Sequence, residues 1–207
     1  MIAIVRERVV NICGMGASSA GCPIDEHSEN WGVNCTYKKM PKLDKLFFMD
    51  DFIQGDHVAK DGLPYLDPII EPIDYTFDKF LADNPNVELI SRAIGIVNSP
   101  TGEKLKDVIA FPLQDAVKLI PGGYFTSTMA YMICYAILQK VDRIRIYGFE
   151  VWSGSDANEY QHQAPCIDFW LAYAMGRGIK IDIPYYLLNT MKNSQNYYGY
   201  FKGELKK

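Results

Sequence analysis

The stretch that decides the fold is "VVNICGMGASSAG", which covers residues 9–21, close to the start of the chain. Its apolar first half predicts a buried strand over Val9–Cys13. Glycines after a strand let the backbone approach a ligand closely, and small hydroxyl residues can donate to phosphate oxygens. We therefore predict that Gly14, Gly16 and Ser18 bind the phosphate of a nucleotide. A plain tight turn is the alternative interpretation.

This glycine turn (residues 14–21) completes neither of two common phosphate-binding patterns. Ser19 stands where the dinucleotide-binding pattern G-x-G-x-x-G has its third glycine. A P-loop is excluded as well, because no Gly-Lys-Ser/Thr follows. The rest of the chain must therefore indicate which ligand the turn serves.

Short apolar runs alternate with helical stretches along the chain, and this alternation predicts the fold class. We predict an α/β fold, a Rossmann-like, mainly parallel sheet with helices on both faces, in a single domain over residues 1–207. The further predicted strands cover residues 32–36, 45–49, 87–90, 93–97, 108–111, 143–148 and 179–183, and the predicted helices cover residues 77–82, 126–140 and 164–177.

Two segments stand apart from this alternation. Residues 54–74 are rich in proline and glycine and have little periodicity, which predicts a loop or lid. The tail over residues 191–207 is aromatic and then charged, which predicts a docked end with a frayed tip.

Composition excludes several classes of protein. A net charge of −4 does not support binding to nucleic acid or to an anionic membrane. No apolar run approaches the roughly 20 residues that a membrane-spanning helix needs. The five cysteines form no C-x-x-C pair, so neither a disulfide framework nor a zinc site is expected. We predict a reduced, cytoplasmic protein, and we interpret the basic run at Lys38, Lys39, Lys42 and Lys45 as a solvated loop.

Polar residues at the ends of two predicted strands are candidate ligands. Asn34 can hydrogen-bond a base, a ribose or a phosphate, or it can satisfy its own backbone at a strand end. Asp50 and Asp51 follow the strand predicted over residues 45–49. Paired carboxylates there can hold magnesium or a ribose, or they can cap the next segment.

A long polar loop is predicted after the strand over residues 143–148, and it carries Glu150, Tyr160 and His162. A histidine titrates near neutral pH and can act as a general base. A surface histidine without a function is the alternative.

These stretches together resemble a superfamily of bacterial sialyltransferases of the lipooligosaccharide type, motility-associated sugar-transferase-like proteins and an archaeal pterin pyrophosphokinase. The resemblance rests on the glycine turn, on Val33-Asn34, and on "STMAYMICYAILQKVDRIRIYGFE", residues 127–150. There are departures from the family pattern. Ala17 replaces a proline, Met129 replaces a glycine and Glu150 replaces an aspartate.

The resemblance implies a glycosyltransferase-like enzyme that uses a nucleotide-sugar donor and requires no cofactor. The glycine turn, Ser127 and Thr128 would bind the donor phosphate, and Asn34 and Glu150 would complete the nucleotide site. His162 would take the proton from an unknown acceptor, while Tyr160 would hydrogen-bond the departing phosphate.

Two alternatives stay open, and a homo-oligomer is possible under each of them. The first is a magnesium-dependent pyrophosphate or phosphoryl transfer enzyme, with Asp50 and Asp51 as metal ligands. The second is a non-catalytic nucleotide-binding protein of a mobile element or phage.

Overall fold

The computed structural model describes residues 6–49, 75–92, 95–98, 104–120, 123–149 and 157–183. The predicted lid over residues 54–74 and the predicted tail over residues 191–207 lie outside these ranges, as do Asp50, Asp51 and Glu150.

Within these ranges, eight strands form one sheet in the order β5-β6-β4-β3-β2-β1-β7-β8. All neighbouring strands are parallel except β5, which runs antiparallel to β6. This confirms the predicted α/β class with a mainly parallel sheet. The strands are β1 (Val9–Cys13), β2 (Ser28–Val33), β3 (Lys45–Phe48), β4 (Glu88–Ser91), β5 (Gly95–Asn98), β6 (Lys104–Ala110), β7 (Arg143–Tyr147) and β8 (Lys180–Asp182).

Helices connect these strands, and the described ranges contain four α-helices and two short 3₁₀-helices. The α-helices are α1 (Tyr75–Asp83), α2 (Leu113–Leu119), α3 (Thr128–Leu138) and α4 (Ala157–Gly176), and the 3₁₀-helices cover Ala17–Gly21 and Asn34–Lys38. No helix in the described ranges is both long enough and apolar enough to cross a membrane.

Alternate residues of the strands enter two separate hydrophobic cores, one on each face of the sheet. In β3, Phe47 packs in the core that contains Ile133 of α3 and Trp170 of α4. Leu46, the preceding residue, packs instead in the core that contains Phe77 of α1. Helices therefore cover both faces, as the near-continuous apolar strands predicted.

The prediction of β2 was wrong in its bounds. The strand was expected over residues 32–36, but it covers Ser28–Val33 and a 3₁₀-helix follows. Parallel pairing with β1 extends the strand toward its polar beginning. The buried Asn30 is tolerated there because Asn11 of β1 donates its amide to the Asn30 Oδ1 at 2.8 Å.

Two further differences concern helices. The helix α4 was expected to begin at Ala164, but it begins at Ala157 and contains Pro165 in its interior. Proline is tolerated poorly inside a helix, which is why the sequence favoured a helix start there. The helix α2 was not predicted at all, because its seven residues are too few for a clear helical periodicity.

The helices α3 and α4 both run back along the sheet, antiparallel to the strands. The helix α3 ends at Leu138, and after four intervening residues β7 begins at the amino edge of the sheet. The helix α4 likewise ends just before β8. The first turn of each helix therefore faces the carboxyl edge, where parallel α/β sheets bind their ligands.

Candidate functional site

The glycine turn lies where the strand order of the sheet reverses. From β1 the sheet continues through β2 and β3 on one side, whereas β7 and β8 lie on the other side. Cys13, the last residue of β1, is paired both with Gly32 of β2 and with Tyr147 of β7. Open α/β sheets bind ligands in the crevice outside the carboxyl ends of the strands at such a reversal. The candidate site is this crevice.

Hydrogen bonds fasten the glycine turn to the segment that follows β7. The Gly14 amide donates to the Tyr147 carbonyl at 2.8 Å, and the Gly16 amide donates to the Gly148 carbonyl at 2.9 Å. In return, the Gly148 amide donates to the Ser18 hydroxyl oxygen at 2.7 Å. In this conformation both glycine amides already have a partner, so a phosphate would have to displace a carbonyl to reach them.

Two glycines make this close approach possible. A Cβ on Gly14 would meet the Gly148 carbonyl oxygen at 2.2 Å. A Cβ on Gly148 would meet the Gly14 carbonyl oxygen at 2.4 Å, and Gly148 also has a positive φ of +68°. Gly14 therefore has a structural role beside its predicted role at the phosphate. No sequence pattern indicated that Gly148 is its partner.

Asn34 lies beside the turn, at the carboxyl end of β2. Its φ of 48° is left-handed, which ends the strand and turns the chain into the second 3₁₀-helix. The side-chain Oδ1 is buried and has no hydrogen-bond partner among the described residues. A buried acceptor without a partner costs free energy, so this oxygen is suited to a donor group of a ligand.

Thr36 connects the ends of β1 and β2, and sequence reasoning did not identify it. Its hydroxyl accepts from the Val33 amide at 3.1 Å and donates to the Val33 carbonyl at 2.5 Å, with the Cys13 carbonyl as a second acceptor at 3.3 Å. The side chain is fully buried. Thr36 thus fixes the position of Asn34 relative to the glycine turn. An isolated threonine after a strand carries no sequence signal for this role.

A positive charge lies at the tip of the glycine turn. The exposed Lys39 donates its ammonium group to the Met15 carbonyl, at the middle of the turn. Lys39 was interpreted as part of a solvated loop, yet the second 3₁₀-helix brings it back over β1. An ammonium group at this point would attract the phosphate of a ligand.

Ser127 and Thr128 begin α3, whose first turn faces the carboxyl edge. The Ser127 hydroxyl accepts from the Ala130 amide at 3.3 Å and so caps the helix. Thr128 is buried. The predicted contact of both residues with a donor phosphate stays a prediction, and for Ser127 it would be added to the capping role.

His162 and Tyr160 were expected in a loop, but both lie in α4. Because α4 ends at the amino edge, its first turns lie toward the carboxyl edge of the sheet. The roles predicted for the side chains of Tyr160 and His162 stay predictions.

Two further questions about the site are the protonation of Tyr147 and the presence of metal ligands. Burial raises the pKa of the Tyr147 hydroxyl at the end of β7, so this group is protonated at neutral pH. No group of three or more histidine, cysteine or acidic residues among the described residues is arranged to hold a metal ion. The predicted ligands Asp50 and Asp51 are not among those residues.

Comparisons with known proteins give similarity in fold. No family model matches the chain, and no curated protein matches it. Two solved structures of the sialyltransferase CstII from Campylobacter jejuni are similar, one in complex with the substrate analogue cytidine-5'-monophosphate and one with CMP-3FNeuAc. Each is 14% identical to this chain. The first has a TM-score of 0.44 and the match covers 85% of this chain and 79% of that chain. The second has a TM-score of 0.46, with 86% and 80% covered.

A third structure, of the sialyltransferase CST-II in complex with trisaccharide acceptor and CMP, is 15% identical. Its TM-score is 0.43, and the match covers 85% of this chain and 80% of that chain. Similarity of this size transfers no activity to this chain.

Proposed function

We propose that the crevice at the carboxyl ends of β1, β2 and β7 binds a cytidine or uridine sugar donor, and that the protein transfers the sugar to an acceptor hydroxyl. The observation that carries the proposal is the position of the glycine turn at the reversal of strand order, with Asn34 beside it. The motif resemblance described above supports the reaction class.

Asn34 would recognise the nucleoside. Its buried Oδ1 accepts hydrogen bonds and lacks a donor among the described residues. Cytosine offers an exocyclic amine, uracil offers a ring N–H, and both nucleosides offer ribose hydroxyls. A single hydrogen bond to a buried group contributes about 1 kcal/mol, enough to orient a nucleoside but not to bind it alone.

The phosphate would bind at the tip of the glycine turn. Lys39 supplies the positive charge there, and Ser127 lies at the helix end that faces the same edge. Under this proposal the charge of the donor phosphate is neutralised by Lys39, and the transfer requires no metal ion. His162, in the first half of α4, would take the proton from the acceptor hydroxyl.

A thermal-shift panel tests the binding step. The panel contains CMP, CDP, UDP and their sugar conjugates, each with and without magnesium. A ligand at 100 times its dissociation constant raises the stability by about 2.7 kcal/mol, which shifts the unfolding temperature measurably. We expect stabilisation by at least one pyrimidine nucleotide without magnesium. Stabilisation only with magnesium would favour phosphoryl transfer, and binding without turnover would favour a non-catalytic protein.

The variant Asn34→Gly tests the nucleoside contact. Glycine adopts the left-handed φ of this position without strain, so the change removes the amide and leaves the backbone intact. We expect nucleotide affinity to fall roughly tenfold with little change in the free energy of unfolding. Equal affinity of the variant and the parent protein would contradict the assignment.

Lys39→Ala and Lys42→Ala form a matched pair for the phosphate contact. Both residues are exposed lysines of one basic run, but Lys42 borders a groove with Glu7 and Asp25 near the start of β1. We expect Lys39→Ala to weaken nucleotide binding roughly tenfold and Lys42→Ala to leave it unchanged. Equal effects of the two changes would show a general charge effect instead of a phosphate site.

A further inference from the structure

Two thiols lie in contact at the two ends of the glycine turn. Cys13 is the last residue of β1 and is fully buried, whereas Cys22 follows the first 3₁₀-helix and is partly exposed. The Cys13 thiol donates to the Cys22 sulfur, and the two sulfurs are 3.0 Å apart. A disulfide bond is about 2.05 Å long, so an approach of about 1 Å would join them.

The surroundings of Cys22 leave it free to react. Its amide donates to the Ser19 carbonyl at 3.0 Å, which fixes the backbone. Apart from Cys13, the contacts of the sulfur with described residues are weak ones, with the Pro23 carbonyl and the Asn30 Oδ1. The side chain is partly exposed, so a small reagent can reach it. Access and a second thiol in contact are what a reversible disulfide requires.

We propose that Cys13 and Cys22 form a reversible disulfide that closes residues 14–21 into a covalent loop and thereby regulates the glycine turn. The effect on nucleotide binding rests on the proposed function, whereas the formation of the disulfide does not. All five cysteines are free in this structure, so the proposed disulfide goes beyond the expectation of a reduced protein without a disulfide framework.

The reaction balances with a low-molecular-weight disulfide, such as oxidised glutathione, as the oxidant. The Cys22 thiolate attacks one sulfur of the oxidant, whose S–S bond breaks, and the first glutathione leaves and takes up a proton. Cys13 then loses its proton, attacks the Cys22 sulfur and releases the second glutathione. The protein loses two electrons and two protons, which reduce the oxidant to two thiols.

The environment of Cys13 sets the order of these steps. The hydrogen bond with Cys22 and burial both raise the pKa of the Cys13 thiol, so Cys13 retains its proton at neutral pH. Exchange therefore begins at the partly exposed Cys22, and the attack by Cys13 is the slower step.

The disulfide would hold the turn in the conformation described above. In that conformation the Gly14 and Gly16 amides are bonded to carbonyls that follow β7. A phosphate can reach these amides only when the turn opens, and a covalent loop restricts that opening. The oxidised protein is therefore the form with the lower nucleotide affinity.

Mapping of the disulfide tests its formation. The full chain is equilibrated in buffers of reduced and oxidised glutathione, then alkylated and analysed by peptide mass spectrometry. We expect a Cys13–Cys22 disulfide in the parent protein and in Cys35→Ser, a control that removes another partly exposed cysteine. Cys22→Ser should form none. Absence of the disulfide in the parent protein, or its replacement by another pair, would overturn the proposal.

Hydrogen exchange and nucleotide titration test its consequence. Oxidation should slow exchange of the amides over residues 14–21 roughly tenfold in the parent protein and leave Cys22→Ser unaffected. The affinity for the pyrimidine nucleotide found in the panel should fall at least threefold. Unchanged exchange overturns the regulatory role even if no nucleotide binds, so failure of this inference is distinguishable from failure of the proposed function.

Discussion

At the scale of single residues, two glycines with a left-handed backbone differ in their surroundings. Gly148 combines a left-handed backbone with a contact that no side chain could make, because the Gly14 carbonyl lies where its Cβ would be. Gly178, after α4, has a φ of +85° but has nothing near the position of a Cβ. Substituting each glycine therefore separates the cost of backbone strain, which applies at both positions, from the cost of steric overlap, which applies only at Gly148.

We expect Gly148→Ala to lower the free energy of unfolding by about 2–4 kcal/mol, because strain and overlap with the backbone add together. Gly178→Ala should cost only about 1 kcal/mol, since only the strain applies. Urea unfolding of the two variants and of the parent protein measures both values. Equal losses would mean that the contact between Gly14 and Gly148 relaxes without cost.

At the scale of elements, the start of α3 combines an observed helix cap with a proposed ligand contact in one side chain. Ser127 caps the helix, and the same hydroxyl is a proposed contact of the donor phosphate. Aspartate caps helices as well as serine does, but it repels a phosphate. Substitution by alanine and by aspartate therefore separates the cap from the contact.

We expect Ser127→Ala to lower the free energy of unfolding by about 1 kcal/mol. Ser127→Asp should retain the stability of the parent protein but weaken nucleotide binding at least tenfold. Chemical denaturation and nucleotide titration provide the two readouts. If the aspartate variant binds as tightly as the parent, Ser127 is a cap and nothing more.

The amino ends of β1 and β2 are linked by an ion pair that responds to acid. Burial by itself would raise the pKa of Glu29, but hydrogen bonds from Arg8 and the Trp31 indole outweigh it and hold the pKa below the usual 4.5. The folded protein thus favours the charged carboxylate. The resulting stabilisation is present above pH 4.5 and is lost as the pH falls below that value.

The variant Glu29→Gln measures this contribution. We expect it to be less stable than the parent protein by less than about 1 kcal/mol near pH 6, and the difference should shrink as the pH is lowered toward 3. Denaturant unfolding across this pH range provides the measurement. Glu26→Gln, which removes an exposed carboxylate from the same region, should show no such trend. A difference that stays constant with pH would indicate lost packing instead of lost charge.

At the scale of the whole molecule, the sequence predicted the succession of elements better than their arrangement. The apolar run of β1 and the following turn are unmistakable, because hydrophobicity changes to glycine within one residue. The beginning of β2 was missed because Asn30 is buried by pairing with Asn11, a contact that only the sheet creates. The contact of Lys39 with the turn was missed for the same reason, since it joins residues that are distant in the chain.

The proposed transfer reaction makes two predictions for the assembled site. His162→Ala should lower turnover by about 10²–10⁴-fold and leave donor affinity within a few-fold, because a positioned base acts on the chemical step. A chelator should leave turnover unchanged. Steady-state kinetics of the parent protein and the variant, with and without chelator, test both. Loss of all turnover in chelator would contradict the sugar-transfer proposal and favour the magnesium-dependent one.

The pairing of β1 with β7 also determines when the site can form during synthesis. The glycine turn leaves the ribosome before the carbonyls that hold it, because those belong to Tyr147 and Gly148, which follow the turn by more than 120 residues. Contacts between such distant segments form late and slowly. Until β7 docks, the glycine turn lacks these partners, so the complete crevice can form only after β7 has been made.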